Sequence, residues 1–378
     1  MGYEGFAFSE ETSDLSDAEF ERALAVLADV AKTIELRDEM AVADPEAAKI
    51  FLPDEGWHPD SQPSFELDGS TKNAQTSYAL LATGDRDIIR KMRLYGHAYT
   101  GYQLATLEFA QKRPWLSKKL PDNWDEILSY LAGPPDQSVF DYAAVANALP
   151  PELRAAPPSK FGEIGWIMDG EIVNDDTYAY LERLCLMAEN GLITQLQERL
   201  SLNGHLKIVE IGGGYGGLAY HLINFVGQKV HYSIIDIPES LAFSGIYLET
   251  LFPDLPADIA TTAEARFNLD TPGLSFIPNM IYREALAHAG PVDLVINTLS
   301  LSEMSDTQIR DYCEGVQNLI GNTGLFFEQN HQSDHRGPGG FLVDYFTNLK
   351  KFETDILPES FPERRGDANL WVNAGFAE

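Results

Sequence analysis

The chain has 378 residues, which is more than one ordinary domain holds, so we expect two domains. A hydrophobic content of 44% with 11% aromatic residues indicates a folded protein with a sizeable core. The formal net charge of -31, with no basic cluster along the sequence, argues against nucleic acids and anionic membranes as partners, since both are polyanionic.

The two cysteines, Cys185 and Cys313, lie in helical-looking segments far apart in the sequence. A disulfide framework or a thiolate zinc site is therefore not expected. The first residues lack a basic start followed by an apolar stretch, and no apolar run is long enough to cross a membrane. We expect a cytoplasmic protein.

Helical patterns dominate the N-terminal half. Ser16 and Glu19 have capping-box spacing ahead of apolar residues at helical intervals, which predicts a helix. Proline, serine, glycine and aspartate over 54–72 predict a long loop. Helical periodicity returns from about Ala74 to 111, and again over 124–131.

Two proline clusters, "AGPPDQ" and "ALPPELRAAPPSK", follow these helices, and the second is the predicted domain boundary. Residues 1–158 are expected to form a mostly helical domain that serves as a lid, a substrate-binding element or a dimer contact. Residues 159–378 form the second predicted domain. Whether the chain forms a homodimer is left open by the sequence.

The second half changes to strands alternating with helices. A helix is predicted from Thr177 to about Leu200, with Asp176 as its N-cap. The segments "LKIVEIG", "KVHYSIIDI", "GLSFIP", "VDLVINTLS" and "GLFFEQN" then predict five parallel strands. After a further helix, "GGFLVDYFTNLK", the segments "KFETDILPE" and "ANLWVNAGF" predict an antiparallel pair. This α/β arrangement is the Rossmann-like sheet typical of class I S-adenosylmethionine-dependent methyltransferases.

A glycine-rich turn directly follows the first of these strands. Gly212, Gly214 and Gly217 spell G-x-G-x-x-G, which alone also fits a dinucleotide-binding turn. Glu210 lies two residues before the first glycine, where a carboxylate would repel a pyrophosphate but can receive an ammonium group. The charge therefore favours S-adenosylmethionine as cofactor. Asp236, at the end of the next strand, can accept both hydroxyls of a ribose and fits either cofactor.

The segments "VEIGGGYGGLAYHL", "YSIIDIPESLAFSGIYL", "VDLVINTLSLSEMSDTQIRDYCEGV" and "FFEQN" resemble the sugar O-methyltransferases of bacterial polysaccharide and natural-product clusters. The resemblance covers roughly 166–331 and includes "GEIVNDDTYAYLERLCLMAENGL" ahead of the sheet. It implies that Glu210, Gly212, Gly214 and Asp236 line the cofactor and that Asn297 lies beside the transferring methyl group. With neighbouring positions added, the predicted cofactor-binding residues are Glu210, Gly212, Gly214, Tyr215, Asp236, Ile237, Asn279 and Asn297.

Candidates for chemistry follow the last two parallel strands, because ligands in such sheets lie beyond the strands' carboxyl ends. These candidates are Asn297, Ser300, Ser302 and Glu303, then Glu328, Asn330, His331, Asp334 and His335. An aliphatic hydroxyl needs a base to take its proton as it is methylated. His331 is the first candidate and Glu303 the second; Glu303 can equally orient His331, hold a substrate hydroxyl or cap a helix.

His331, Asp334 and His335 also spell H-x-x-D-H, a pattern that can bind a divalent metal when it is helical. The following Arg336 and "GPGG" favour a loop, so no metal site is predicted. The predicted substrate contacts are Trp166, Asn174, Tyr178, Ser302 and Asn330. The aromatic stretch 95–102 has the helical spacing more typical of a core.

The sequence thus predicts an S-adenosylmethionine-dependent O-methyltransferase acting on a hydroxyl of a sugar, a nucleotide sugar or another small natural product. Two alternatives remain open. One is methyl transfer to nitrogen or carbon of a small natural product. The other keeps the fold without methylation, as a cofactor-binding scaffold or a nicotinamide oxidoreductase.

Overall fold

A computed structural model of the chain describes most of the second half and parts of the first. The described residues are 3–8, 14–53, 57–59, 74–95, 145–155, 158, 160–162, 164–168, 170–173, 175–330, 342–352 and 367–373. The predicted helix over 124–131 and most of the predicted loop over 54–72 lie outside them. So do Asn174, His331, Asp334 and His335.

Before residue 96, the described residues of the N-terminal region form one strand and five α-helices. They are β1 (Tyr3–Phe8), α1 (Asp17–Ala43), α2 (Pro45–Phe51), α3 (Ala74–Leu81), α4 (Arg86–Arg90) and α5 (Met92–Tyr95). The capping box that opens α1 is confirmed, since the Ser16 N–H donates to Glu19 Oε2 at 2.8 Å and the Glu19 N–H donates to Ser16 Oγ at 3.3 Å. The first predicted helix is therefore present, and the second helical stretch is broken into short helices.

A small antiparallel sheet joins the start of the chain to residues near its middle. β1 pairs with β2 (Ile164–Met168), which pairs with β3 (Glu171–Val173). Helices α6 (Asp175–Glu189) and α7 (Leu192–Asn203) follow. The single helix predicted here is divided at Gly191, whose φ of +81° departs from helical geometry. The predicted domain boundary near 158 stays a prediction.

In the described part of the chain the main sheet has eight strands, in the order β10-β11-β9-β8-β4-β5-β7-β6. Their bounds are β4 Leu206–Ile211, β5 Val230–Asp236, β6 Ala257–Ile259, β7 Gly273–Pro278, β8 Leu294–Thr298, β9 Leu325–Asn330, β10 Asn348–Lys351 and β11 Asp367–Val372. The strands from β4 to β9 are parallel, whereas β11 and β10 are antiparallel. The predicted Rossmann-like sheet is confirmed, with the short edge strand β6 added to the five parallel strands expected. At the other edge, β10 occupies residues predicted as the end of a helix, and most of the strand predicted over 351–359 lies outside the described residues.

Helices α8 (Gly217–Phe225), α9 (Pro238–Leu251), α10 (Tyr282–Ala285) and α11 (Asp306–Ile320) connect the strands. The sheet is buried on both faces, as its nearly continuous apolar strands require. Helix α1 packs along α9, and the side chains of Arg37 and Glu239 form an ion pair of 2.7 Å between these helices, both more than nine-tenths buried. The N-terminal helix is therefore an integral part of the packing around the sheet.

Cys185 and Cys313 are both free and buried. Within the described residues, no helix combines the length and the apolar content needed to cross a bilayer.

Candidate functional site

A cavity of about 240 Å³ opens at the carboxyl ends of the central strands. It lies where the strand order reverses, since the chain proceeds from β4 to β5 on one side and returns to β8 on the other. Such a crevice is the usual ligand site of open α/β sheets. Its walls come from β4, β5 and β8 with the turns that follow them, from Asn279 directly after β7, from α6, α9 and α11, and from residues that follow α2.

Glu210 lines this cavity from β4 and is 2% exposed. Tyr232 on β5 donates a hydrogen bond to Glu210 Oε2 at 2.8 Å. Burial raises the pKa of Glu210 to about 7, and the hydrogen bond from Tyr232 and the charge of Arg183 only partly offset this rise. A carboxylate held in this way is stabilised by any cation that enters the cavity.

Asp236 lines the cavity from the end of β5. The Gly214 N–H donates to its Oδ2 at 3.0 Å, and the Ile237 N–H donates to its Oδ1 at 2.8 Å. Burial raises its pKa to about 6, against the lowering effect of these backbone hydrogen bonds. The side chain of Ser240 also hydrogen-bonds to this carboxylate. Three of its roughly four acceptor sites are thus used, and the remaining one can accept a further hydrogen bond.

The glycine turn between β4 and α8 brings bare backbone into the cavity wall. Gly212 has a φ of +73°, and a Cβ placed on it would overlap the side chain of Ser300. A glycine is therefore required both by the backbone conformation and by the lack of space. Gly212, Gly214 and Tyr215 all line the cavity, as predicted for the cofactor-binding loop.

Tyr215 is buried beneath an arginine that the sequence analysis did not single out. The guanidinium of Arg93, on α5, lies 3.5 Å from the centre of the Tyr215 ring. Arg93 also donates to Asp176 Oδ2 at 3.1 Å, and both side chains are more than nine-tenths buried. Asp176 lies inside α6, so its prediction as an N-cap is wrong; its carboxylate instead lines the cavity beside Tyr180.

Arg183 is a second buried cation that sequence reasoning missed. It lines the cavity from α6, is 5% exposed, and its Nε donates to Gln329 Oε1 at 3.1 Å. Its charge acts on Glu210, so one cation and one carboxylate face the same space. The helical periodicity predicted that Arg183 lies in a helix. It could not show that the face of the helix that carries Arg183 lines the cavity.

Residues after α2 form another wall that the sequence predicted only as the start of a loop. Pro53 and Trp57 line the cavity, and we call residues 51–53 with Trp57 the crossing segment. Asn279, after β7, donates from Nδ2 to the Phe51 carbonyl at 2.6 Å, and Gln308 Nε2 of α11 donates to the Leu52 carbonyl at 2.8 Å. The start of the crossing segment is thus held by a residue that follows β7 and by a residue of α11.

Trp57, at the other end of the crossing segment, is held by the turn that follows β8. The indole Nε1 of Trp57 donates to Glu303 Oε2 at 3.0 Å. Glu303 lies in the turn that follows β8 and lines the cavity, as do Ser300 and Met304. Of the two predicted bases, Glu303 therefore reaches the cavity, and His331 directly follows the last described residue of β9.

The polar residues at the ends of β8 and β9 take different positions from those at the ends of β4 and β5. Asn297 and Asn330 are 0% and 2% exposed, and neither lines the cavity. Ser302 also lies outside the cavity wall, with its Oγ donating to the Leu299 carbonyl at 2.8 Å. The side chains of Asn297 and Asn330 bond to each other instead of facing the cavity. The cofactor contact predicted for Asn297 and the substrate contacts predicted for Ser302 and Asn330 remain predictions.

The remaining predicted residues divide into two groups. Ile237 and Asn279 line the cavity, as expected of cofactor contacts. Tyr178 is 2% exposed and does not line it, and Trp166 lies on β2 of the small sheet. The described residues contain no cluster of three or more histidine, cysteine or acidic side chains able to hold a metal, and the H-x-x-D-H segment lies outside them.

No protein-family model and no curated protein matches the chain. Among solved structures, the chain is similar to the DszA carbon methyltransferase, with 14% identity and a TM-score of 0.39 over 56% of this chain and 60% of that one. It is also similar to human N-acetylserotonin methyltransferase in complex with SAM, with 15% identity and a TM-score of 0.29 over 52% and 59% of the two chains.

A third similar structure is the glycopeptide N-methyltransferase MtfA complexed with sinefungin. The match has 13% identity and a TM-score of 0.28, and it covers 47% of this chain and 90% of that one. The chain thus spans less than two thirds of the length of the first two of these proteins. The likeness is one of fold.

Proposed function

We propose that the chain is an S-adenosylmethionine-dependent O-methyltransferase that acts on a hydroxyl of a sugar or a sugar-bearing natural product. The observation that carries this proposal is the pair of carboxylates that line the cavity at the ends of adjacent strands beside one glycine turn, the buried Glu210 and the half-buried Asp236. When bound, S-adenosylmethionine supplies an electrophilic methyl group to the acceptor oxygen, and its sulfur keeps the bonding electron pair.

The residues of the cavity match the two ends of this cofactor. Glu210 offers a carboxylate to the ammonium group, and Arg183 offers a guanidinium to the carboxylate of the same amino acid. Asp236 can accept a hydrogen bond from a ribose hydroxyl in addition to those from Gly214, Ile237 and Ser240. A pyrophosphate would instead place its negative charge beside buried Glu210, which is unfavourable. This electrostatic difference supports adenosylmethionine over a dinucleotide.

The acceptor is expected next to the turn that carries Ser300 and Glu303. Glu303 can take the hydroxyl proton as the new C–O bond forms, and His331 is the alternative base directly after β9. Asp176 and Tyr180 add polar groups that can accept and donate hydrogen bonds to a polyhydroxyl ring. These groups support a sugar as the acceptor class.

Two experiments test the proposal. The first incubates the protein with methyl-labelled S-adenosylmethionine and a panel of nucleotide sugars and glycosides, then locates the label by mass spectrometry. We expect the label on oxygen, and a rate lowered about a hundredfold in Glu303→Gln or in His331→Ala, whichever is the base. Label found on nitrogen or carbon, or no transfer to any acceptor, contradicts O-methyl transfer.

The second experiment tests how the cofactor is held. Arg183→Met should weaken S-adenosylmethionine binding while leaving the affinity for 5′-methylthioadenosine unchanged, because that nucleoside lacks the amino-acid end. Equal losses for both ligands would contradict the role of Arg183, since they would indicate a general distortion of the cavity.

A further inference from the structure

Behind the cavity lies a network of four buried polar side chains that runs across three strands. We call it the floor network: Asn297 on β8, Glu328 and Asn330 on β9, and Asn369 on β11. All four are at most 8% exposed, and none lines the cavity. Burying polar groups costs folding free energy unless they are hydrogen-bonded, so we asked what the hydrogen bonds of this network hold in place.

The floor network begins at β11, on the side away from the glycine turn. Asn369 Nδ2 donates to Glu328 Oε1 at 2.5 Å, and Trp371 Nε1 donates to the same oxygen at 3.3 Å. The other oxygen, Oε2, accepts from Asn330 Nδ2 at 2.8 Å. A carboxylate only accepts hydrogen bonds, so Glu328 requires the amino group of Asn330 to point toward it.

The orientation of the Asn330 amide then determines that of its neighbours. Its Nδ2 also donates to Asn297 Oδ1 at 3.0 Å, and its Oδ1 accepts from the Ser302 N–H at 3.2 Å. With its oxygen engaged, Asn297 presents Nδ2 to the Ile211 carbonyl at 3.0 Å and to Ser300 Oγ at 2.5 Å. A reversed Asn330 amide would bring oxygen against oxygen at both Glu328 and Asn297.

The floor network ends at the glycine turn. Ser300 lines the cavity and lies so close to Gly212 that no side chain fits between them. The residue before it, Leu299, has a φ of +64°, a conformation that a leucine adopts only when its surroundings hold it there. Its N–H donates to the Gln329 carbonyl at 2.8 Å, so β9 holds this turn from both its backbone and its side chains.

From these contacts we propose that Asn330, oriented by Glu328, is a positioning residue that holds the turn 299–303 against Gly212 and thereby shapes the cofactor side of the cavity. This inference rests on the proposed cofactor and goes beyond it, because it assigns a role in ligand binding to side chains that do not touch the ligand. It is also independent of which acceptor atom is methylated.

The test compares the affinity for S-adenosylhomocysteine, measured by calorimetry at 25 °C, in Asn330→Ser, Ser300→Ala and the double variant. We expect Asn330→Ser to weaken binding about tenfold, and the double variant to lose less affinity than the two single variants combined, because Asn330 orients Asn297, whose amide in turn bonds to Ser300. Additive losses, or an unchanged affinity in Asn330→Ser, would overturn the proposal.

A matched control separates positioning from general destabilisation. Asn373 also donates from its amide to backbone carbonyls, those of Gln317 and Gly321, but it lies away from the cavity. Asn373→Ser should lower the melting temperature and leave the affinity within about twofold. A loss of affinity in this control as large as that in Asn330→Ser would contradict a specific role.

A second measurement works without any ligand. Hydrogen exchange in Asn330→Ser should become faster at the amides of 299–303 and 212–214 and stay unchanged in α7. If the wild type does not bind S-adenosylhomocysteine, the proposed cofactor fails, whereas this exchange pattern still decides the positioning role. Uniformly faster exchange across the sheet would contradict it.

Discussion

The ends of β4 and β5 differ from the ends of β8 and β9, although both carry polar residues at the same edge of the sheet. At β4 and β5, Glu210, Gly212 and Asp236 all line the cavity. At β8 and β9, Asn297 and Asn330 hydrogen-bond to each other beneath it. A glycine turn has no side chains that would cover the residue before it, so Glu210 faces the cavity. A buried polar side chain without such a turn beside it instead hydrogen-bonds to its neighbours, as Asn297 and Asn330 do.

The largest effect is expected when the charge of the first region is removed. Glu210→Gln keeps the size of the side chain but replaces the partner of the ammonium group with a neutral amide. We expect the affinity for S-adenosylmethionine to fall about a hundredfold, as measured by calorimetry. Glu198→Gln, an exposed change on α7, serves as the control and should leave the affinity unchanged. A Glu210→Gln protein that binds like the wild type would show that this carboxylate does not hold the cofactor.

The fold was largely predictable from the sequence, because the β-branched runs of the parallel strands alternate with helical segments at a regular spacing. Glu210, Gly212, Gly214 and Asp236 were also predictable, since a glycine turn constrains its neighbours through local backbone conformation. Arg183 and Trp57 were not, because they reach the cavity through tertiary packing of α6 and of the crossing segment. The buried positions of Asn297 and Asn330 depend on side-chain pairing across strands, which a single sequence does not reveal.

The glycine turn itself provides the second prediction. Gly212→Ala should weaken cofactor binding about thirtyfold, because the added Cβ overlaps Ser300 and displaces the turn. Gly204→Ala is the matched control: its φ of +79° is equally unfavourable for alanine, but the surrounding space is open. It should cost stability without changing affinity.

A rescue variant sharpens this prediction. Adding Ser300→Gly to Gly212→Ala removes the side chain that the new Cβ would meet, so part of the affinity should return. If Gly204→Ala and Gly212→Ala had the same effect on affinity, backbone strain rather than the contact with Ser300 would be the cause.

The third prediction concerns pH. Burial raises the pKa of Glu210 to about 7, so its contribution to the stability of the ligand-free protein is full below its unfolded pKa and is lost as pH rises through 7. Binding an ammonium group favours the charged form and reverses this loss. The affinity for S-adenosylmethionine should therefore rise about tenfold from pH 6 to pH 8, with a larger ligand-induced rise in melting temperature at pH 8. In Glu210→Gln the rise in affinity between pH 6 and pH 8 should be lost. A wild-type affinity that does not change with pH would contradict the prediction.

The smallest effect is expected at the crossing segment. Trp57→Ala removes a cavity wall and the hydrogen bond to Glu303, so S-adenosylhomocysteine affinity should fall about fivefold. Trp57→Phe keeps an aromatic ring and loses only the N–H donor, and it should stay within about twofold. An Ala variant that binds as tightly as the Phe variant would indicate that this wall does not contact the cofactor.

The central claim is that Glu210 and Asp236 hold an amino-acid-bearing nucleoside and not a dinucleotide. Parallel calorimetric titrations of the wild-type protein with S-adenosylmethionine and with NAD test it most directly. We predict saturable binding of S-adenosylmethionine at one site per chain and no measurable binding of NAD. Tighter binding of NAD, or equal binding of the two, would contradict the account.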